Sequence, residues 1–442
     1  MYYFLTAVQE MSMPVFDQIK LGLVRQAFPA SQRPNIEKRL AEEFVRAGFA
    51  AKIKPGHKVL ITSGSRGIES MLEVLQNLVK LVKSVGGIPL MLPAMGSHGG
   101  GTAEGQVDVL AHLGQTEATL GAPIYTDYQP AQVGEVFDQI PVFVDKAVLA
   151  ESTDHVILVG RVKEHTEFCG PIESGLLKMA VVGMGRIAGA TSMHLAAVKY
   201  TYAETIKAMA QTIFDNAPVL GGIALVDDQH NVLRHLEAVP AAEIANREPE
   251  LLVMSQHIKP KLPWDALDIL LVDEIGKDIS GAGFDTKVIG RLMNIYEKPL
   301  TVPAITRIVT RRISEKGGGN AIGLGLSDFI TQQLYDAVDF EMTRINSVVA
   351  VSPEKGRCPI VAPDTKAALK LALETVGPWK ANSLSMAWIQ NTKDLEYIAV
   401  TPDLFEAARD NPSLETVASP EIWPWATQCE GPDFKAYVAS CK

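Results

Sequence analysis

Between residues 161 and 194 the chain reads R-V-K-E-H-T-E-F-C-G-P-I-E-S-G-L-L-K-M-A-V-V-G-M-G-R-I-A-G-A-T-S-M-H. Three reactive groups stand in it: His165, Lys178 and His194. An imidazole serves as a proton acceptor near neutral pH with little tuning, and it is a common metal ligand. A lysine that leads into a small, apolar run is costly to bury unless it is paired, neutral or modified. As an uncharged amine it is a nucleophile, suited to a covalent anchor or a Schiff base. Two further groups lie upstream. His98 stands in G-S-H-G-G-G-T, where glycines let the backbone approach a ligand and the following helix start favours an anion. Arg66 stands in S-G-S-R-G and can hold a carboxylate through two parallel hydrogen bonds. Each has a plainer reading: a loop histidine for His98, a solvated one for His165, a snorkelling lysine for Lys178, a helix-end cap for His194, a surface arginine for Arg66. Cys169 reads as a small buried filler. Together the groups suit a small anionic substrate and a metal, and they do not choose a reaction.

These side chains need elements to present them. V-L-I-T (Val59–Thr62) reads as a strand running into the Arg66 loop. Residues 68–85 place Met71, Leu72, Leu75, Leu78, Val79 and Val82 at helical spacing, and Gly86-Gly87 stops them. Ile88–Leu92 is a second strand leading into the His98 loop, and Thr102 caps the next helix. His155–Gly160 is a third strand, followed by His165. Strand, loop and helix in alternation predict an α/β fold with a largely parallel sheet. Ligands of such sheets collect beyond the carboxyl ends of the strands. Parallel strands would therefore bring Arg66, His98 and His165 to one edge.

After His194, Tyr202–Phe214 reads as a helix and Gly221–Val226 as a strand. Ala241–Glu248 is expected as a short helix. The prolines and lysines of 258–264 mark a boundary, giving an N-terminal α/β domain over 1–258 and a C-terminal one over 259–442. In the second, Ile269–Val272, Ala321–Leu324, Val348–Val351 and Tyr397–Val400 are expected strands. Ser327 is expected to cap a helix, Asp364–Thr375 is a further helix, and the Trp423/Trp425 tail packs back on a domain. The site is expected in the cleft between the two domains.

The 442 residues are 47% hydrophobic and 21% charged, with a net charge of −10. This is ordinary globular composition, and with no dense Lys/Arg block it argues against nucleic acid or an anionic membrane as partner. No long uncharged apolar run predicts a membrane span, and Met1–Glu10 lacks the cationic start of a signal peptide. The four cysteines form no C-x-x-C pair, so a reducing cytoplasm is the expected compartment.

One resemblance organises these residues. Ser63–Arg66, Gly96–Thr102, the segment His165–Lys178 and His194 resemble, in order and spacing, the lactate racemase family that depends on a nickel-pincer nucleotide. The resemblance implies that Lys178 is joined through a thioamide to a pyridinium mononucleotide, whose sulfurs and ring carbon bind nickel with His194 as the remaining ligand. It implies that His98 and His165 flank the substrate as paired proton carriers, that Arg66 holds its carboxylate, and that Lys287, or alternatively Lys277, contacts it from the C-terminal domain. Enzymes that synthesise the cofactor are implied partners. The chain departs from lactate racemase itself. The His165–Lys178 interval is longer, R-V-K-E precedes the histidine, and the G-S-H loop continues G-G-G-T. A larger 2-hydroxy acid, including a sugar acid, is as good a substrate as lactate. Two other readings use the same residues: a Schiff-base lyase acting through Lys178, and a non-catalytic protein that binds a hydroxy acid.

Overall fold

The computed structural model describes all residues except 1–15, 29–31, 66–67, 97, 138, 229–230 and 380–382. The chain forms two compact units. One is Ala30–Lys259, and the other is Pro260–Lys442 with the N-terminal stretch that carries the first strand, β1 (Lys20–Gln26). The expected domain 1–258 is therefore not one contiguous unit. L-G-L-V in β1 is buried, and β1 pairs antiparallel with β14 (Tyr397–Val400) and β15 (Leu414–Ile422) of the later unit.

The Ala30–Lys259 unit is built on a five-stranded sheet. Its strands are β2 (Lys58–Ser63), β3 (Ile88–Pro93), β6 (His155–Arg161), β7 (Val219–Asp227) and β8 (Leu233–Pro240), in the order β3-β2-β6-β7-β8. The first four are parallel, and β8 returns antiparallel to β7. A parallel sheet covered on both faces needs strands that are apolar throughout, and Val59, Leu60 and Ile61 are all buried. On one face Val59, Ile61, Ile157, Val159, Ile223 and Leu225 pack against helices α1 (Ile36–Arg46) and α2 (Met71–Ser84). Where β2 and β6 cease to pair, the Thr62 hydroxyl accepts the Val159 N–H at 2.9 Å and extends the link. Thr102 caps α3 (Ala103–His112) as expected, accepting the Gly105 N–H at 3.1 Å. A separate hairpin, β4 (Pro130–Val136) and β5 (Ile140–Asp145), has no counterpart in the sequence reading.

Helices α4 (Arg186–Tyr200), α5 (Tyr202–Asn216) and α6 (Ala241–Ile258) complete the unit. The short helix expected to stop before Pro249 instead runs through it. Proline removes one donor and crowds one carbonyl, and here apolar contacts on both sides (Ile244, Leu251 and Leu252, all buried) carry the helix across the gap.

The second unit holds an eight-stranded sheet. β9 (Ala266–Ile275), β10 (Ala304–Ile313), β11 (Phe329–Thr331), β12 (Ile360–Ala362) and β13 (Met386–Ile389) are its parallel part, and β14, β1 and β15 its antiparallel part. The mixed α/β fold with largely parallel sheets thus agrees with the expectation. Three local expectations fail. Ala321–Leu324 is a turn leading into a 3₁₀ segment, because Gly323 takes φ +93°. Val348–Val351 is the last part of helix α7 (Phe340–Val349) and the turn after it; Asp339 caps that helix through the Met342 N–H. Ser327 starts no described helix and instead ends the 3₁₀ turn Leu324–Leu326: its hydroxyl bonds Thr310, and Thr331 caps the helical turn that follows β11. The tail does pack back, with Trp423 and Trp425 buried against Phe16, Trp388 and Phe434. No described helix is long and apolar enough to cross a membrane.

Candidate active site

The parallel register fixes where the reactive loops emerge. Ser63 pairs with Pro93 and Ile61 with Ile157, so β2 and β3 end together and β6 runs on to Arg161 at the same edge. The loops carrying Arg66, His98 and His165 leave from this one carboxyl edge. Arg66 itself lies outside the described residues. A Cβ added to Gly64 would stand 3.3 Å from Met179 Cε, and one on Gly96, at φ +61°, 3.2 Å from a Val182 methyl. The first two loops therefore press on the segment just after Lys178. His98 is exposed, and its loop is pinned by the buried Gln106 amide, which donates to the Gly96 carbonyl at 2.9 Å and the His98 carbonyl at 3.3 Å.

Lys178 lies on the opposite face of the sheet from α1 and α2. It ends the helical turn Leu176–Lys178, and a π-helical turn, Met179–Gly183, follows before α4. Such widened turns are frequent at functional sites. Leu176 anchors the arrangement by packing into the strands at two glycines: a Cβ on Gly222 would stand 2.8 Å from both Leu176 methyls, and one on Gly160 3.6 Å from Cδ2.

His165 and Lys178 are in direct contact, imidazole Nε2 to amine Nζ. His165 Nδ1 accepts the Glu167 N–H at 3.2 Å, which leaves Nε2 as the ring nitrogen that meets the amine. Glu173, buried, fixes the loop by accepting the His165 N–H at 2.5 Å and the Gly170 N–H at 3.3 Å. The His165 ring packs beside Phe168, which stacks on Tyr202 at 4.7 Å between centroids.

Tyr202 connects this cluster to His194. Its hydroxyl is 3.0 Å from His194 Nδ1, and the two rings meet edge-on at 5.6 Å. His194 is in the middle of α4 and not at a helix end, which removes the capping role. Sequence spacing found His165, Lys178 and His194 and missed the residues that join them. Tyr202 follows the helix break at Thr201, and only its aromatic character marks it. Cys169 is exposed, contrary to the filler reading, and the buried residue at that turn is Phe168.

Glu248, from α6, is also missed. One of its carboxylate oxygens accepts the Leu177 N–H at 3.0 Å. Burial pushes this carboxyl up to about 7, opposed by the N–H groups of Leu177 and Leu176. Asp145 and Arg186 form a buried pair at 2.9 Å at the start of α4. Burial outweighs both the Ala147 N–H and the guanidinium, and lifts Asp145 to about 6. At the sheet edge Arg161 donates to Asp227 at 3.1 Å, and burial again raises the carboxyl despite that partner. Lys287, in the other unit, is half-buried one residue into a helical turn capped by Asp285, and Lys277 is exposed and bonds Asn346.

No group of three or more His, Cys, Asp or Glu side chains among the described residues is placed to hold a metal. A metal bound at His194 would need ligands brought by a cofactor. The residues present fit the nickel-pincer group on two observations. The Lys178 amine stands against the imidazole of His165, a group able to take its proton on covalent attachment. Tyr202 engages His194 Nδ1, and a ligating imidazole would use such an outer-sphere partner.

No family model matches the chain, and no curated protein matches it. Among solved structures it is similar to the lactate racemase apoprotein from Thermoanaerobacterium thermosaccharolyticum, with a TM-score of 0.47 and 13% identity over 83% of this chain and 94% of that one.

Proposed function

We propose that the protein is a racemase or epimerase that inverts a hydroxyl-bearing carbon of a 2-hydroxy acid or sugar acid, using a nickel-pincer nucleotide tethered to Lys178. The observation that carries this reading is the contact of the Lys178 amine with His165, one aromatic pair away from a Tyr202-supported His194. Lys178 would hold the group covalently, and His194 would ligate its nickel. Bound, the group supplies a hydride acceptor and donor for the carbinol carbon. The protein's own residues do the rest. His165, beside Lys178, is the first proton carrier for the substrate hydroxyl. His98, in the neighbouring loop of the same sheet edge, is the second proton carrier, and inversion in both directions needs two. Arg66 and Lys287 are proposed to bind the carboxylate and hydroxyl oxygens of the substrate. Cofactor-synthesis enzymes are the proposed partners.

The test is conversion of single enantiomers of 2-hydroxy acids, and single epimers of sugar acids, by protein loaded in a host that makes the cofactor. Run in D₂O, inversion by hydride return keeps protium at the inverted carbon. Inversion with full deuterium uptake there would refute the hydride route.

The contact of Lys178 with an imidazole also favours a second reading, a Schiff-base lyase through Lys178. It predicts that borohydride traps a 2-keto acid on Lys178 and that activity does not depend on nickel.

A further inference from the structure

The turn that presents Lys178 has no cap of its own. A helical start leaves backbone N–H groups without intrahelical partners, and a Ser, Thr, Asp or Asn just before it usually accepts one. Here that position is Gly175, with no side chain to offer. The turn is three residues long and runs directly into the irregular π-turn, so few bonds of its own define it. The missing acceptor comes from 71 residues away. Glu248 Oε2 takes the Leu177 N–H at 3.0 Å, and the Leu176 N–H is also directed to the carboxylate. Gly175 is what admits it, because a Cβ there would lie 2.3 Å from Glu248 Cδ. Glu248 is 1% exposed, and its other oxygen, Oε1, has no hydrogen-bond partner among the described residues. Burying a carboxyl in this way is expensive unless it does something for the fold around it.

We propose that Glu248 is the positioning residue for Lys178: from α6 its carboxyl caps the turn Leu176–Lys178 and so holds the amine against His165. The inference rests on the reading of Lys178 as the reactive lysine, and it holds whichever electrophile that lysine meets. Glu248 does not touch Lys178 Nζ in this role and takes no part in bond making.

The experiment measures labelling of the full-length chain by trinitrobenzenesulfonate, with the modified lysines followed by peptide mass mapping. Lys287 in the same chain is the internal reference. In the wild type Lys178 labels faster than Lys287. Glu248→Leu slows Lys178 about tenfold, the effect of a lost cap, and leaves Lys287 unchanged. Glu248→Gln restores the wild-type rate, because its amide carbonyl still accepts the Leu177 N–H. Should Glu248→Leu not fold, Gly175→Ala decides, since it displaces the carboxyl without removing it, and the same slowing is expected. A folded Glu248→Leu protein with wild-type labelling of Lys178 overturns the proposal and leaves the reactive-lysine reading standing. So does a Gln variant as slow as the Leu variant. A wild type in which Lys178 labels no faster than Lys287 defeats the reactive-lysine reading itself, and the proposal with it.

Discussion

Replacing Tyr202 by phenylalanine separates two things the ring does. The Phe168 stack, at 4.7 Å and 13°, depends on the ring and survives. The 3.0 Å bond to His194 Nδ1 depends on the hydroxyl and is lost. A hydrogen bond of this kind contributes about 0.5–1.5 kcal/mol net. Spent on orienting a metal ligand, the upper end of that range corresponds to about tenfold in affinity, and outer-sphere partners of ligating histidines range from about 10- to 100-fold. The prediction for Tyr202→Phe is therefore nickel retention weaker by about 10- to 100-fold, with the protein destabilised by no more than about 1.5 kcal/mol. The assay is competition of cofactor-loaded protein against a chelator, with the remaining nickel counted per chain. A thermal melt of the unloaded protein checks the fold. A Phe variant that holds nickel as tightly as the wild type would refute the assignment of His194 as a ligand supported by Tyr202.

Other consequences follow from the same packing. Gly222→Ala places a methyl 2.8 Å from both Leu176 methyls and should displace the Lys178 turn, lowering activity more than a surface Gly→Ala change does. Asp145→Asn strips the buried Arg186 of its counter-charge and should destabilise the fold by about 3–5 kcal/mol in chemical denaturation. Glu248 gives a pH signature. Its carboxyl titrates near 4.5 when unfolded and about 7 when folded, so the native state binds more protons between those values. Stability is then lost as pH rises across that window, by up to about 3 kcal/mol. Glu248→Gln, which cannot ionise, should gain on the wild type by that amount between pH 4 and pH 8 in paired denaturation curves, and a constant difference would contradict the burial argument. His98→Ala and His165→Ala should each reduce turnover by about 10²–10⁴-fold, read from the rate at which one enantiomer converts to the other.

The parallel sheet was legible because β2, β3 and β6 are short apolar runs bounded by glycine loops. That same regularity brought the Arg66, His98 and His165 loops to one edge. The elements that were misjudged are places where local pattern loses to context. Ala321–Leu324 reads as a strand until Gly323 turns it, and Val348–Val351 has strand-forming residues that the Asp339 cap commits to a helix. β1 shows the same limit at long range: its short apolar run is plain, but its partners β14 and β15 are nearly four hundred residues away. In the site, reactive side chains announce themselves by type, whereas Tyr202, Glu173 and Glu248 act through a hydroxyl, a loop clamp and a distant cap. Each of these is set by tertiary placement and has no local spacing rule.

The account depends most on Lys178 as a covalent tether. Intact-protein mass and peptide mapping, with nickel content, on protein co-expressed with the cofactor-synthesis enzymes test it directly. The account predicts an adduct on Lys178 and about one nickel per chain. An unmodified Lys178 without nickel, from a host shown to load a known cofactor user, would contradict it.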